Sequence, residues 1–139
     1  MRRFAASGKK NLSSVQSVFD EIRAVRRTDR VNNFWRGLAH DPALLRATWD
    51  RLQAVMAPGA LPPVVKEMLY VAVSTTNGCG YCVHSHTAAA RAKGMTPEMH
   101  AELLAVVAMA AQTNALATAM QIPVDPAFDA EAGPDGPPA

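Results

Sequence analysis

Residues 62–94 read PPVVKEMLYVAVSTTNGCGYCVHSHTAAARAKG, and this stretch decides the fold. Pro62-Pro63 opens a helix, because a proline in the first turn lacks only an N–H that would have no helical acceptor there. That helix runs to about Thr76, where Asn77-Gly78 breaks it. A second helix begins near Cys79 and ends at Gly94, a natural left-handed C-terminal cap. Two helices joined by so short a break form an antiparallel hairpin. Glu67 lies about ten residues before the reversal, so its partner across the hairpin is about ten residues after it. That is His86 or its neighbour. His86 is also four residues beyond Cys82, on the same helix face. The pattern therefore predicts a line from Glu67 to His86 to Cys82, with Cys79 at the helix tip.

Cys79 and Cys82 are the only cysteines among 139 residues. Two thiols at this spacing on a first helical turn can close a small disulfide ring. The free N–H groups and the positive end of the helix dipole there stabilise a thiolate, the form that attacks peroxides and disulfides. A carboxylate that orients an imidazole, an imidazole that takes a proton from a thiol, and a second thiol nearby form a proton relay joined to a redox couple. Other readings of the same residues are weaker. Zinc could use Cys79, Cys82, His86 and Glu67, yet structural zinc usually takes a second Cys/His pair, and the chain has none. Haem attachment requires His directly after the second cysteine, where Val83 stands. A thioredoxin-like domain needs βαβ elements that the sequence does not suggest. Two inert buried cysteines would leave the coincident Glu67 and His86 unexplained.

The rest of the chain is read as helix as well. Hydrophobic residues make up 49% and β-branched runs are scarce, which favours helix over sheet. Ser13-Ser14-Val15-Gln16 resembles a capping box for a first helix over about 13–27, with Val15, Val18, Phe19, Ile22 and Val25 at helical spacing. A short segment at 32–39 follows. Asp41-Pro42 then supplies an N-cap and first-turn proline for a helix carrying Leu45, Trp49, Leu52 and Met56 on one face. After Gly94, Thr96-Pro97-Glu98 opens a long helix to about Met120. The expected organisation is a basic arm at 1–12, a helical domain at 13–126 and a disordered tail at 127–139 rich in proline, acid and glycine.

Net charge is +2, unevenly spread: residues 1–36 hold nine Lys/Arg against three acids. A solvated basic face explains this without nucleic acid, for which no recognition motif adjoins the arginines. No apolar run approaches the roughly 18 residues of a membrane span, and the basic N-terminus lacks the apolar stretch of a secretory signal. A cytoplasmic protein is expected, without nucleic-acid or membrane partners. In that reducing setting a lone close pair of cysteines is read as catalytic or metal-binding rather than as a structural staple.

Glu67, twelve residues, Cys79, Cys82 and His86 together resemble the pattern of the AhpD-like alkylhydroperoxidases of the carboxymuconolactone decarboxylase superfamily. The resemblance covers about residues 35–126. Ala39-His40-Asp41-Pro42, Gly94-Met95-Thr96, Thr113-Asn114-Ala115-Leu116-Ala117 and Ile122-Pro123-Val124-Asp125 support it. It implies an all-α helical bundle, a homo-oligomer that is a trimer or hexamer, and hydroperoxide reduction by a dithiol/disulfide cycle with no cofactor or metal. Residue by residue, it implies Cys82 as the peroxide-reacting thiol and Cys79 as the thiol that resolves it and exchanges with an external dithiol reductant or adaptor protein. His86 is the implied base and Glu67 its orienting acid. The best-studied branch has a histidine just before the inner cysteine, whereas this chain has Tyr81, whose phenol can donate a hydrogen bond but is a poor base near neutral pH.

The expected activity is thus that of an alkylhydroperoxidase-like peroxidase. The alternatives are a cofactor-free decarboxylase or lyase of the same superfamily, for which two thiols have no use, and a zinc-stabilised oligomeric binding protein without turnover. Remaining candidates rank lower. His84 shares neither the Cys82 nor the His86 face and is expected to be exposed or at a subunit contact. His40 reads as a loop residue and His100 as solvent-facing. Tyr70, Val71 and Ser74 lie on the Glu67 side, as pocket lining or core. Trp35 and Trp49 read as core or interface, and Asn114 has no chemical role.

Overall fold

Capping chemistry sets where most of the helices begin. The computed structural model describes the backbone of residues 3–128 and the side chains of residues 11–128, and among these residues all regular structure is helical, as the sequence pattern predicts. The elements are α1 (Arg3–Arg26), α2 (Asn33–Leu38), α3 (Pro42–Met56), α4 (Pro63–Thr76), α5 (Gly80–Ala92) and α6 (Pro97–Ala119), with a 3-10 turn at Pro126–Phe128. The Asp41 carboxylate accepts the Leu44 N–H at 3.0 Å, and the Thr96 hydroxyl accepts the Met99 N–H at 3.2 Å. Pro42, Pro63 and Pro97 each occupy a first turn, where the missing N–H costs nothing. The chain divides into two compact units, Met1–Gly59 and Ala60–Ala139, the boundary falling inside the proline-containing segment 58–63.

In the first unit α3 packs on α1 and on α2. Val18, Ile22, Trp35, Leu45 and Trp49 form its buried core, so the two tryptophans serve packing, as expected. Their rings meet edge to face at 5.2 Å, an arrangement that sets the positive edge of one ring against the negative face of the other. The Arg26 guanidinium lies 5.7 Å and 5.8 Å from the two ring centres. On the outside, Arg46 of α3 binds both oxygens of Glu21 of α1 at 2.7 and 2.8 Å. That fork holds the Glu21 carboxyl below its ordinary range.

The start of α1 differs from expectation. Helix begins at Arg3 rather than near Ser13, so residues 3–12 of the expected arm are helical. The Ser14 hydroxyl donates to the Asn11 carbonyl at 2.8 Å, a backbone contact that serine makes inside helices and that mimics a cap signal in sequence. Residues 1–2 of the arm and 129–139 of the tail lie outside the described residues.

In the second unit α4 and α5 form the antiparallel hairpin, reversing at Asn77-Gly78 with Gly78 at φ 68°, and α6 packs on α4. Val71, Ala90 and Met95 are buried, and so are the polar residues Glu67, Ser74 and Thr87. None of α6 is buried: Leu104, Val106, Met109 and Leu116 are exposed, as is Met120 at its C-cap. By length and composition α6 could cross a membrane, with a mean hydropathy of 1.2 over 18 residues. No unbroken apolar run of that length underlies the value, since Glu98, His100, Glu102, Gln112, Thr113 and Asn114 interrupt the helix. The alanines between its Leu, Val and Met residues raise the average without forming an unbroken bulky run.

Four helices end in one way, among them α4, where Gly78 at φ 68° lets its own N–H reach the Thr75 carbonyl and the Cys79 N–H reach that of Ser74. After α5, Gly94 at φ 103° lets the Met95 N–H reach the Ala90 carbonyl and its own N–H reach that of Arg91. After α1 and α6 the same turns are made by Arg27 and Gln121, both at φ 51°. A side chain at positive φ crowds its own backbone by about 1–2 kcal/mol. Arg27→Gly should therefore stabilise the protein by about 1 kcal/mol, net of the extra freedom of glycine in the unfolded chain. Thermal unfolding followed by circular dichroism should show a melting point a few degrees higher. Arg27→Ala, which keeps the crowding, should show no such gain.

Candidate active site

The hairpin brings Glu67 and His86 together. Glu67 faces α5 from the middle of α4 and is only 4% exposed. Its Oε2 accepts a hydrogen bond from His86 Nδ1 at 2.7 Å. With Nδ1–H committed to the carboxylate, the other ring nitrogen of a neutral His86 carries the lone pair. Tyr70, one turn after Glu67, lies flat on the imidazole with ring centres 3.6 Å apart and planes 15° apart. The ring is therefore held at its edge by a carboxylate and on its face by a phenol. Val71 and Ser74, the other two candidates on this side, are buried, and the Ser74 carbonyl accepts the Cys79 N–H at 2.9 Å.

A third partner was not visible in the motif. Lys93 Nζ donates to Glu67 Oε1, so the two oxygens of one buried carboxylate serve two different donors. Lys93 is the C-cap residue of α5, seven residues and two turns beyond His86. Burial alone would push the Glu67 carboxyl up, but the hydrogen bonds from His86 and Lys93, joined by the charge of Lys93, outweigh it. Glu67 is therefore held below the ordinary carboxylate range. The i, i+7 spacing from His86 was the available signal, although a lysine at a helix C-terminus is read first as a partner of the dipole.

The thiols sit at the other end of α5. Cys79 is the N-cap residue, and its Sγ accepts the Cys82 N–H at 3.3 Å. Both cysteines are free and half-buried. Hydrogen bonds from the Cys82 thiol and then from the Cys82 N–H hold Cys79 below the ordinary thiol range. The same contact with Cys79, together with burial and the neighbouring negative charge, pushes the Cys82 thiol up. The pair thus carries its first negative charge on Cys79, with Cys82 as proton donor. Cys82 stands one turn before His86, which puts the two residues on the same side of α5.

The lower-ranked histidines stay apart from this line. His84 is exposed as expected, and His40 is an exposed residue whose Nδ1 lies 2.7 Å from the Gly37 carbonyl. His100, expected to face solvent, is half-buried in the first turn of α6. Asn114 is exposed. Among the described residues no three His, Cys, Asp or Glu side chains stand close enough to hold a metal ion. The Cys79, Cys82, His86 and Glu67 set weighed for zinc does not form a ligand cluster.

Residues 42–125, most of the helical region and all of the site, match the carboxymuconolactone decarboxylase family. The chain belongs to that family. A solved structure described as the alkylhydroperoxidase AhpD core from Rhodospirillum rubrum is 63% identical, with a TM-score of 0.82 over 88% of this chain and 90% of that one. An alkyl hydroperoxide reductase AhpD of Solibacter usitatus is 28% identical over 123 residues, covering 88% of this chain and 60% of that protein. An uncharacterised protein of Cupriavidus necator is 38% identical over 65 residues, covering 47% of this chain and 58% of its own length. This carboxymuconolactone decarboxylase family member is AhpD-like in fold and sequence, and it spans about 60% of the length of these two curated relatives.

The charge placement in the thiol pair is open to direct test. A lowered pKa means that the Cys79 thiolate persists to more acidic pH than a free thiol allows. Limited iodoacetamide at pH 7, mapped by mass spectrometry, should label Cys79 before Cys82. In Cys82→Ala the pH midpoint for Cys79 labelling should move up, because a thiol donor is lost. Preferential labelling of Cys82 would reverse the assignment.

Proposed function

We propose that this protein is a thiol-dependent peroxidase that reduces hydroperoxides through a Cys79-Cys82 dithiol/disulfide cycle assisted by Glu67 and His86. The observation that carries the reading is the carboxylate-imidazole pair on the helix face of Cys82, the thiol whose proton is harder to remove. A thiol pushed up in pKa needs a base to become a nucleophile, whereas Cys79 does not. His86, held by Glu67 and Tyr70, takes the Cys82 proton as Sγ attacks the terminal peroxide oxygen. The O–O bond breaks, the alkoxide takes that proton back from His86 and leaves as an alcohol, and Cys82 becomes a sulfenic acid. The Cys79 thiolate then attacks Cys82 Sγ and displaces hydroxide, which becomes water with a proton from solvent. An external dithiol, free or on an adaptor protein, restores the pair by thiol–disulfide exchange. The reading places the cycle in the reducing cytoplasm.

The names of the AhpD relatives support a peroxide substrate, while the family description raises decarboxylation of a lactone as the second reading. Two thiols in mutual hydrogen-bond contact favour the redox cycle, since decarboxylation gives a dithiol nothing to do. Counting thiols lost per added peroxide separates the two readings. Wild type should lose both thiols, Cys79→Ser should stop at a trappable sulfenic acid on Cys82, and Cys82→Ser, which lacks the peroxide-reacting nucleophile, should lose peroxide consumption altogether. Sulfenic acid formation in Cys82→Ser but not in Cys79→Ser would reverse the roles of the thiols. Unchanged thiols in wild type would sink the peroxidase reading.

The proposal includes a closed homo-oligomer. Exposed Val106, Met109 and Leu116 on α6, with Leu69 and Val73 on α4, leave the second unit with more apolar surface than a small monomer usually shows. Light scattering should report a trimer or hexamer, and Val106→Glu with Met109→Glu should dissociate it. A wild-type monomer at all concentrations would remove the oligomer from the proposal.

A further inference from the structure

The relay proposed above ends at the carboxylate, yet the carboxylate has a second partner. A buried acid facing only one imidazole raises that imidazole's affinity for a proton, because an ion pair offsets the cost of keeping the acid charged in a poorly solvated place. An imidazolium cannot take a proton from a thiol, so the more strongly the acid charges the imidazole, the smaller the fraction able to act as base. In this chain Glu67 Oε2 faces His86 and Oε1 faces Lys93. We propose that Lys93 is a positioning residue that supplies the counter-charge of Glu67 and so leaves His86 neutral, with its second ring nitrogen free to accept the Cys82 proton.

Several features of the fold serve this role. With Glu67 and Lys93 both ionised, the three-residue cluster is neutral only when the imidazole is uncharged. Lys93 is 38% exposed along its side chain, so its ammonium keeps part of its hydration while touching a carboxylate that is 5% exposed. It stands at the C-terminus of α5, the negative end of that helix, which also favours a cation. Gly94 at φ 103° turns the chain immediately after it, setting where the lysine stem starts. The groups from α4 that meet His86 are Glu67 and Tyr70. From its own helix, Cys82 lies one turn before and Lys93 two turns after. The titratable residues of α6, which packs on α4, are Glu98, His100 and Glu102, and Glu98 is engaged with Thr96 at its own helix start.

This inference rests on the Glu67-His86 relay proposed above, and its test is built to fail separately from that reading. The titration of His86 is followed by NMR in the reduced protein with no peroxide present, its signals among the four histidines being identified by their loss in His86→Gln. Lys93→Gln keeps a donor for Oε1 but removes the charge. It should raise the His86 midpoint by about one pH unit or more, whereas Lys93→Arg should leave it within about 0.3 unit of wild type. The pH profile of Cys82 oxidation by peroxide should move the same way: the acid limb of Lys93→Gln shifts toward alkaline pH by the same amount, and the limiting rate at high pH stays within about twofold. Lys93→Met carries the same comparison if the glutamine variant does not fold. A His86 midpoint that is unmoved or lowered in the charge-removing variant overturns the role of Lys93, whatever the activity. A midpoint that rises while the oxidation profile stays put upholds Lys93 as the counter-charge of Glu67 and removes His86 from the chemistry.

Discussion

A single buried carboxylate organises the second half of this protein. Glu67 is placed inside the α4-α5 hairpin, where an unpartnered charge would be strongly destabilising, and the hairpin answers with one donor for each oxygen. Those donors come from two levels of α5, His86 in its middle and Lys93 at its end. The contacts therefore fix the rotation of one helix against the other as well as their separation. Tyr70 takes its place on the imidazole as a consequence of lying one turn along from Glu67. Replacing the acid by an apolar residue would free both partners and remove the reason for this helix register.

Much of this was legible in the residues themselves. Proline and N-cap signals located α3, α4 and α6 closely, and Asn77-Gly78 gave the hairpin, from which the meeting of Glu67 with His86 followed by counting. Lys93 was not found because its identity and position have an ordinary explanation: a cation in the last turn of a helix suits the dipole without any acid nearby. The start of α1 was misplaced for a related reason, since Ser13-Ser14 offers the same oxygens to a cap as to a carbonyl inside a helix. The exposure of α6 was hidden by averaging. Alanine, valine, leucine and methionine recur all round that helix, so its sequence does not say which face is covered within the chain and which awaits a neighbour.

The two cysteines differ in ways that their residue type alone does not set. Both lie in the first turn of one helix, yet only Cys79 holds the N-cap position, where a backbone N–H and a thiol both point toward its sulfur. Cys82 donates to its neighbour, its own thiol is pushed up, and in the proposed cycle it depends on a base. Spacing by two residues thus produces unlike thiols, and the helix end rather than any outside charge makes them unlike. Tyr81 stands between them, exposed, where the family's best-studied branch carries a histidine. With no second imidazole there, the one that Glu67 holds is the only histidine within one turn of Cys82 on its own face.

In the proposed dithiol/disulfide cycle the N-cap role of Cys79 also bears on energetics between redox states. A free sulfur, above all an anionic one, is a good acceptor for the Cys82 N–H, whereas a sulfur tied into a disulfide carries no charge and accepts weakly. Helix α5 is therefore better capped when the pair is reduced. Any stabilisation present in the dithiol and absent from the disulfide raises the reduction potential of the couple, by about 30 mV for each 1.4 kcal/mol. Within the proposed cycle the first turn of α5 is in this sense a thermodynamic bias that favours electrons resting on the protein.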